Sequence, residues 1–154
     1  MKNLIFTFLA WVVSAMVSAS VFAETPALKP IDQYYAHASA SEWAEALPII
    51  RSLVEADPSM PSRWFQYGTC LEALELYPGA ISAFKSAYEL DSTDYGAQYR
   101  IFKNYALAGD TAGFVAFARE EVLKTPHIVE LIAQRQEFQE ITSSDAYQQF
   151  LSQL

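Results

Sequence analysis

Cysteine is almost absent from this sequence of 154 residues, which contains only Cys70. A lone thiol cannot close an internal disulfide, so we expect no cross-link to stabilise the fold. Cys70 also lies far from the N-terminal region, which excludes the lipid-modified cysteine of a bacterial lipoprotein. We expect its side chain to pack as a small apolar group between helices. A reactive or intermolecular thiol is the alternative.

The residues and motifs of common enzyme sites are also scarce. Five glycines leave little material for a phosphate-binding loop, and the sequence has no HExxH, CxxC, GxSxG, P-loop or GxGxxG motif. The two histidines, His37 and His127, are far apart, and we expect both at the surface. We therefore expect no catalytic residues, no metal and no cofactor.

Three pairs of carboxylates could in principle serve acid–base chemistry. They are Glu42 with Glu45, Glu72 with Glu75, and Glu120 with Glu121. Such chemistry needs carboxylates in a cleft with unequal environments. Because the spacing of these pairs is typical of the solvated face of a helix, we expect all six side chains to face solvent.

Positive charge is in short supply: 10 basic residues stand against 18 acidic ones, a net charge of −8. Nucleic acids and anionic membrane surfaces are bound by clustered Lys and Arg side chains. Neither is therefore expected as a partner of the folded domain.

The N-terminal segment, residues 1–23, differs in composition from the rest. Lys2 is its only charged residue, residues 4–17 form an apolar run, and residues 21–23 offer small or medium side chains to a signal peptidase. The run is shorter than the roughly 20 residues that a membrane-spanning helix needs. We predict a signal peptide over 1–23 and a periplasmic or secreted domain over 24–154. An uncleaved segment that anchors the chain in the inner membrane is the alternative.

Strand signals are nearly absent as well, since no stretch alternates apolar and polar residues between hairpin turns. Segments rich in Ala, Leu and Glu are instead separated by Pro, Gly, Ser and Asp. This pattern predicts an all-α fold.

The boundaries between these segments recur at a constant spacing of about 34 residues, at Asp57-Pro58, Asp91-Ser92 and Thr125-Pro126. We call this spacing the repeat length. Features within the segments recur at the same spacing. Three helix-turn-helix units are therefore predicted, at about 27–60, 61–94 and 95–128.

The middle unit resembles the tetratricopeptide repeat. Its first helix carries Trp64-x-x-Tyr67-Gly68-x-x-Leu71, and its second carries Ala80-x-x-x-Phe84-x-x-Ala87. The resemblance implies an α-solenoid, a right-handed superhelical stack of helix-turn-helix hairpins. Large residues of both helices are expected in its core: Trp43, Trp64, Phe84 and Phe117.

The outer units depart from the pattern. In the third unit Phe114 replaces a residue that is usually small, which should move the two helices apart or change their crossing. In the first unit the apolar stripe, Ile31, Tyr34, Tyr35 and Ala38, is one residue out of phase.

Local signals in the first unit give three further predictions. Pro30 suits the first position of a helix. Ser39 and Glu42 have the spacing of a capping box. Pro48 should kink the second helix or mark a late start.

Residues 129–154 are predicted to cap the stack, because a series of hairpins must cover its last apolar face. We expect a helix from about Ile128 to Ile141. A last short helix should follow Ser143-Ser144-Asp145, with an apolar face made of Tyr147, Phe150, Leu151 and Leu154.

In the tetratricopeptide family the first helix of each repeat lines a concave groove that holds a partner segment. Carried over by position, the candidate groove residues are Tyr35, Phe65, Gln66, Thr69, Glu72, Tyr99, Arg100 and Lys103. A surface of Tyr, Phe and Arg is typical of binding hot spots. Only Arg100 matches the residues with which some repeats clamp the C-terminal carboxylate of cytosolic chaperones, so that activity is not expected.

These observations favour an exported, non-enzymatic scaffold that binds a protein or peptide segment in its groove. The alternative is a structural or assembly component of an envelope complex that associates with itself as a homo-oligomer.

Overall fold

A computed structural model describes residues 27–154, and all regular secondary structure in that range is helical. Consecutive helices pack against each other along the chain, which confirms the predicted all-α stack. The first six helices form three hairpins: α1 (Pro30–Ser39), α2 (Trp43–Ala56), α3 (Pro61–Ala73), α4 (Tyr77–Leu90), α5 (Tyr95–Leu107) and α6 (Thr111–Val122). The handedness of the stack stays a prediction.

The rest of the described chain forms shorter elements: α7 (Ile128–Ala133), a 3-10 turn (Gln136–Phe138), α8 (Gln139–Thr142) and α9 (Asp145–Leu151). The signal peptide predicted over 1–23 lies outside the described residues. None of the helices between residues 27 and 154 has the length and apolar character needed to span a membrane.

The repeat length recurs in the helix bounds. The second helices of the hairpins begin at Trp43, Tyr77 and Thr111. The first helices end at Ser39, Ala73 and Leu107, which are again one repeat length apart.

The turn inside each hairpin has the same backbone shape. Ser41, Glu75 and Gly109 have positive φ angles of 60°, 60° and 66°. In each case the next N–H bonds the carbonyl five residues earlier, as from Glu42 to His37 at 2.9 Å. This is a Schellman motif, which satisfies the last carbonyls of a helix. Only Gly109 adopts the left-handed conformation without a steric penalty.

The Schellman motif explains why the capping-box prediction is wrong. Ser39 is the last residue of α1, and its hydroxyl donates to the Ala36 carbonyl at 2.9 Å. Glu42 instead lies 2.7 Å from Nδ1 of His37. The side chains that could have capped α2 are therefore used at the end of α1.

The middle hairpin packs tightly because Gly68 has no side chain. A Cβ atom at this position would lie 2.9 Å from two ring carbons of Phe84. The Phe84 ring is fully buried in the space that the glycine leaves. Phe84 and Phe117 are in the core as predicted, whereas Trp43 and Trp64 are only partly buried.

The third hairpin exchanges large and small residues at the same positions. Phe102 stands one repeat length after Gly68, and Ala118 stands one repeat length after Phe84. Both side chains are buried, as is the ring of Phe114. The backbones of α5 and α6 approach each other closely over a much shorter stretch than those of α3 and α4. The shorter contact agrees with either predicted effect of Phe114, a wider separation of the two helices or a changed crossing.

The C-terminal segment fills the wedge between α5 and α6. The Phe138 ring lies 5.3 Å from the Phe114 ring and 6.4 Å from the Phe102 ring. Tyr147 of α9 also contacts Phe114, at 6.1 Å between ring centroids. Residues 129–154 thus cover apolar side chains of the last hairpin.

Two details of the C-terminal prediction are wrong. The helix expected to run to Ile141 stops at Ala133, because the chain turns at Gln134 and Arg135 to bring Phe138 into the wedge. Leu154 follows the end of α9 and is 65% exposed. The other predicted apolar residues of α9 do pack inward.

The first hairpin keeps its register. Its helix α1 begins at Pro30 as predicted and ends one repeat length before the end of α3, and buried Tyr34 occupies the position of Gly68. Tyr35 is 53% exposed and so does not belong to the apolar stripe. The late start that Pro48 suggested for α2 is wrong. The bond that Pro48 cannot donate would go to Ala44, an exposed residue whose carbonyl water can reach.

Cys70 is fully buried beside Tyr34, Ala46 and Ile50, which confirms the packed thiol. Burial raises its pKa to about 11. A thiol that stays protonated is a weak nucleophile, so the structure favours the apolar role.

Candidate functional site

The predicted groove residues lie on the first helices of the three hairpins. Tyr35 is on α1; Phe65, Gln66, Thr69 and Glu72 are on α3; Tyr99, Arg100 and Lys103 are on α5. We call this surface of α1, α3 and α5 the polar face. Side chains connect its helices directly, since Gln66 Nε2 donates to the Tyr35 hydroxyl at 2.5 Å.

A cluster around Glu72 joins α3 to α5. Arg100 and Lys103 both donate to Glu72 Oε1, at 2.6 and 2.7 Å. Asn104 Nδ2 donates to the other carboxylate oxygen at 2.7 Å. The Glu72 side chain is only 11% exposed, so the prediction of a solvated carboxylate is wrong. Cations that lie 28 and 31 residues further along the chain shield it from solvent.

The charges of this cluster decide the protonation of Glu72. Burial raises the pKa of its carboxyl group, but the hydrogen bonds from Lys103 and Asn104 and the charge of Arg100 outweigh that effect. The net pKa lies below the usual range, so Glu72 is ionised at neutral pH. One carboxylate faces two cations, and the cluster therefore carries a net positive charge.

Sequence reasoning missed Asn104, which is fully buried. A signal was present: Asn104 stands one repeat length after buried Cys70, so a polar residue occupies a core position of the repeat. Its Oδ1 atom has no hydrogen-bond partner within the described chain, and neither does Oε1 of Gln66. Unsatisfied buried acceptors are uncommon in folded proteins.

Phe65 and Thr69, two of the predicted groove residues, mainly make contacts within the stack. The Phe65 ring meets the Phe84 ring edge-on at 5.3 Å, and the Arg100 guanidinium lies 6.0 Å above Phe65. Thr69 donates its hydroxyl to the Phe65 carbonyl at 2.9 Å.

A concavity of about 500 Å³ opens where α3 and α5 begin. It is lined by Pro61, Ser62, Phe65, Gln66, Asp91, Asp94 and Gly96. Its two carboxylates already accept hydrogen bonds: Asp91 from Thr93, and Asp94 from the Ala97 N–H at 3.0 Å. The concavity thus extends the polar face toward the N-termini of both helices.

Tyr99 connects α5 to the C-terminal segment. Its hydroxyl donates to Glu137 at 3.0 Å, and the Arg135 guanidinium lies 5.1 Å above its ring. Burial and the bond to Glu137 raise the pKa of Tyr99. The structure thus places Tyr99 beside Arg135 and Glu137, at the edge of the polar face.

A second cavity, of about 160 Å³, lies between α5 and the C-terminal segment; we call it the tail pocket. Its lining is mostly apolar: Tyr95, Gln98, Tyr99, Phe102, Ile128, Leu131, Ile132, Arg135 and Phe138. Sequence reasoning did not find it, because the turn at residues 134–135 creates it.

A second carboxylate cluster lies behind the tail pocket. Fully buried Glu121 accepts from Tyr88 at 2.7 Å, from Gln98 at 2.6 Å and from Lys124 at 2.7 Å. Burial raises its pKa, but these three bonds outweigh burial and lower it below the usual range. The prediction of a solvated Glu121 is wrong. Glu121 stands one repeat length after Ala87, a core position of the repeat.

The histidines lie apart from both clusters. His37 is half-buried beside Glu42, and His127 is exposed just before α7. Within residues 27–154, no three His, Cys, Asp or Glu side chains are grouped as metal ligands would be.

Comparison with protein-family models and with curated proteins finds no match for this chain. The described residues define a fold class only: an all-α, repeat-like stack of helical hairpins with a capping segment.

Proposed function

We propose that this chain is a tetratricopeptide-repeat protein, a non-enzymatic scaffold that binds a protein or peptide segment on its polar face. The observation that carries the proposal is the direct contact between consecutive first helices. Gln66 bonds Tyr35 across α1 and α3, and Arg100 bonds Glu72 across α3 and α5. A surface that crosses three helices is suited to an extended segment rather than to a small substrate.

We further propose that the protein works after export, in the periplasm or outside the cell, with residues 1–23 removed. Support comes from the apolar run and the residues at 21–23. The intact mass of the protein purified from cells checks this step, since retention of all residues would favour the membrane-anchored alternative.

Replacement of Arg100 and Lys103 by alanine is expected to reduce capture of the partner. The variant removes both cations of the Glu72 cluster and leaves the helix contacts of the core in place. The measurement is quantitative mass spectrometry of proteins that the tagged full-length chain retains from an envelope extract. At least one protein should be recovered with the wild type and reduced about ten-fold with the variant, the loss expected when a hot spot is removed.

Two further variants make this test specific. Arg51→Ala is the matched control, because Arg51 is exposed on α2 and away from the polar face. A triple variant that adds Glu72→Ala removes the carboxylate that would otherwise remain without its cations. If no captured protein depends on Arg100 and Lys103 in either background, the polar face is not the binding surface.

Self-association is the second candidate function, and the exposed apolar residues favour it. Tyr95 is 69% exposed and Leu123 is 85% exposed, near the loops that follow α4 and α6. Light scattering of the purified chain separates the two functions. A strict monomer at high concentration excludes the homo-oligomer, while a stable dimer that Leu123→Glu dissociates supports it.

A further inference from the structure

The tail pocket is open to solvent and has an apolar rim. Two of its lining residues are exposed, Leu131 of α7 at 46% and Tyr95 of α5 at 69%. Its floor is formed by buried Phe102, Ile132 and Phe138. An apolar cavity of roughly 150 Å³ holds a benzene ring. The volume of about 160 Å³ therefore suits a single phenyl group.

The charged groups around the pocket favour a ligand that carries acidic residues beside its phenyl group. Arg135 lines the pocket, with a side chain that is 56% exposed. Its contact with Glu137 is loose, at 4.0 Å, and Tyr99 already donates to that carboxylate. Arg135 is thus available to a second anion.

The Glu72 cluster, next to the pocket, has the same sign of charge. Arg100 and Lys103 share one carboxylate, Glu72, and both retain about a third of their side-chain exposure. Together with Glu72, Arg135 and Glu137 they give three cations against two anions. The further carboxylates of the polar face, Asp91 and Asp94, lie where α5 begins and already accept hydrogen bonds. This excess of positive charge stands out in a chain whose net charge is −8. Such a patch steers acidic segments toward the pocket.

We propose that the tail pocket binds the side chain of one phenylalanine carried on an acidic segment of the partner protein. The ring inserts between Tyr95 and Leu131, and the flanking carboxylates pair with Arg135 and with the cations of the polar face. The inference rests on the proposed function, because it names the chemistry of the segment that the polar face binds.

A short labelled peptide, with a central phenylalanine between aspartates and glutamates, tests the proposal. Fluorescence anisotropy with the full-length chain should show saturable binding. Exchange of the phenylalanine for alanine should weaken binding at least about ten-fold, as expected for a buried aromatic anchor. Exchange of the acidic residues for lysines should weaken it by a similar factor, and that loss should shrink at high salt.

Paired variants of the chain locate the site. Leu131→Glu places a charge on the rim and should weaken binding about ten-fold or more, whereas Leu76→Glu makes the same change at a leucine of similar exposure, 49%, outside the pocket and should have no effect. Arg135→Glu is matched in the same way by Arg51→Glu. Thermal unfolding of each variant shows whether it is folded.

The outcomes separate this inference from the proposed function. If the acidic peptide does not bind at millimolar concentration, or binds equally well without its phenylalanine, the inference is overturned. If binding depends on Arg100 and Lys103 but not on Leu131, binding on the polar face is supported and insertion into the tail pocket is contradicted. If binding depends on Leu131 but not on Arg100 and Lys103, insertion into the tail pocket is supported and binding on the polar face is contradicted.

Discussion

Phe84→Ala is expected to lower the free energy of unfolding by about 3–5 kcal/mol, the usual cost of deleting a buried aromatic ring. The ring is fully buried, lies against Gly68, and meets the Phe65 ring at 5.3 Å. Its loss leaves a cavity between α3 and α4. These two helices cannot easily move together to fill it, because each also packs against a helix of a neighbouring hairpin. Urea unfolding followed by circular dichroism measures the change.

A second substitution at the same contact provides the control. Gly68→Ala alone should destabilise the protein by about 1–3 kcal/mol, because its Cβ would lie 2.9 Å from the Phe84 ring. In the Phe84→Ala background the same change should be neutral or stabilising by up to about 1 kcal/mol, since alanine is the better helix former. An equal cost in both backgrounds would show that the Phe84 ring is not what requires a glycine here.

Phe138→Ala is the second large effect, with an expected loss of about 3–5 kcal/mol. The ring is buried among Phe102, Phe114 and Tyr99, where α5 and α6 diverge. Elements at the end of a stack contact one neighbour only and can open separately. We therefore expect faster proteolysis between residues 128 and 154, in addition to the loss in urea unfolding.

Two conservative variants accompany this test. Phe138→Leu keeps most of the volume and should lose less stability than the alanine variant. Tyr147→Phe removes a buried hydroxyl that has no partner within the described chain, so it should leave stability unchanged or raise it. Burial raises the pKa of this hydroxyl to about 12, in keeping with its apolar surroundings. A loss below about 1 kcal/mol for Phe138→Ala would mean that Phe138 does not hold the cap.

Much of the fold could be predicted because its signals are local and repeated. The constant spacing of the segment ends placed the boundaries of all three hairpins, and the left-handed residues inside the hairpins, Ser41, Glu75 and Gly109, follow the same spacing. The resemblance of the middle unit to the tetratricopeptide repeat gave Phe84 as a core residue, and the ring is fully buried. The bulk of Phe114 also gave the expectation that the two helices of the third hairpin pack differently, and their backbone contact is shorter than in the middle hairpin.

The candidate site was less predictable, because its chemistry depends on residues that are far apart in sequence. Glu72 and Glu121 were interpreted as solvated from their neighbours on the same helix. The partners that bury them come from other turns and helices, at separations of up to 33 residues. The tail pocket depends on a turn at Gln134 and Arg135, and this turn contains no glycine or proline from which it could have been predicted.

The sequence by itself determined the helical class and the number and spacing of the hairpins. These follow from apolar periodicity and turn residues, which act within one repeat. Only the tertiary structure decided which charges are buried, which cations remain available and where a pocket opens. The buried charges lie at contacts between different helices, and the pocket lies between α5 and the C-terminal segment. Both depend on side chains that are far apart in the sequence, and the chain turn that forms the pocket lies outside the repeats.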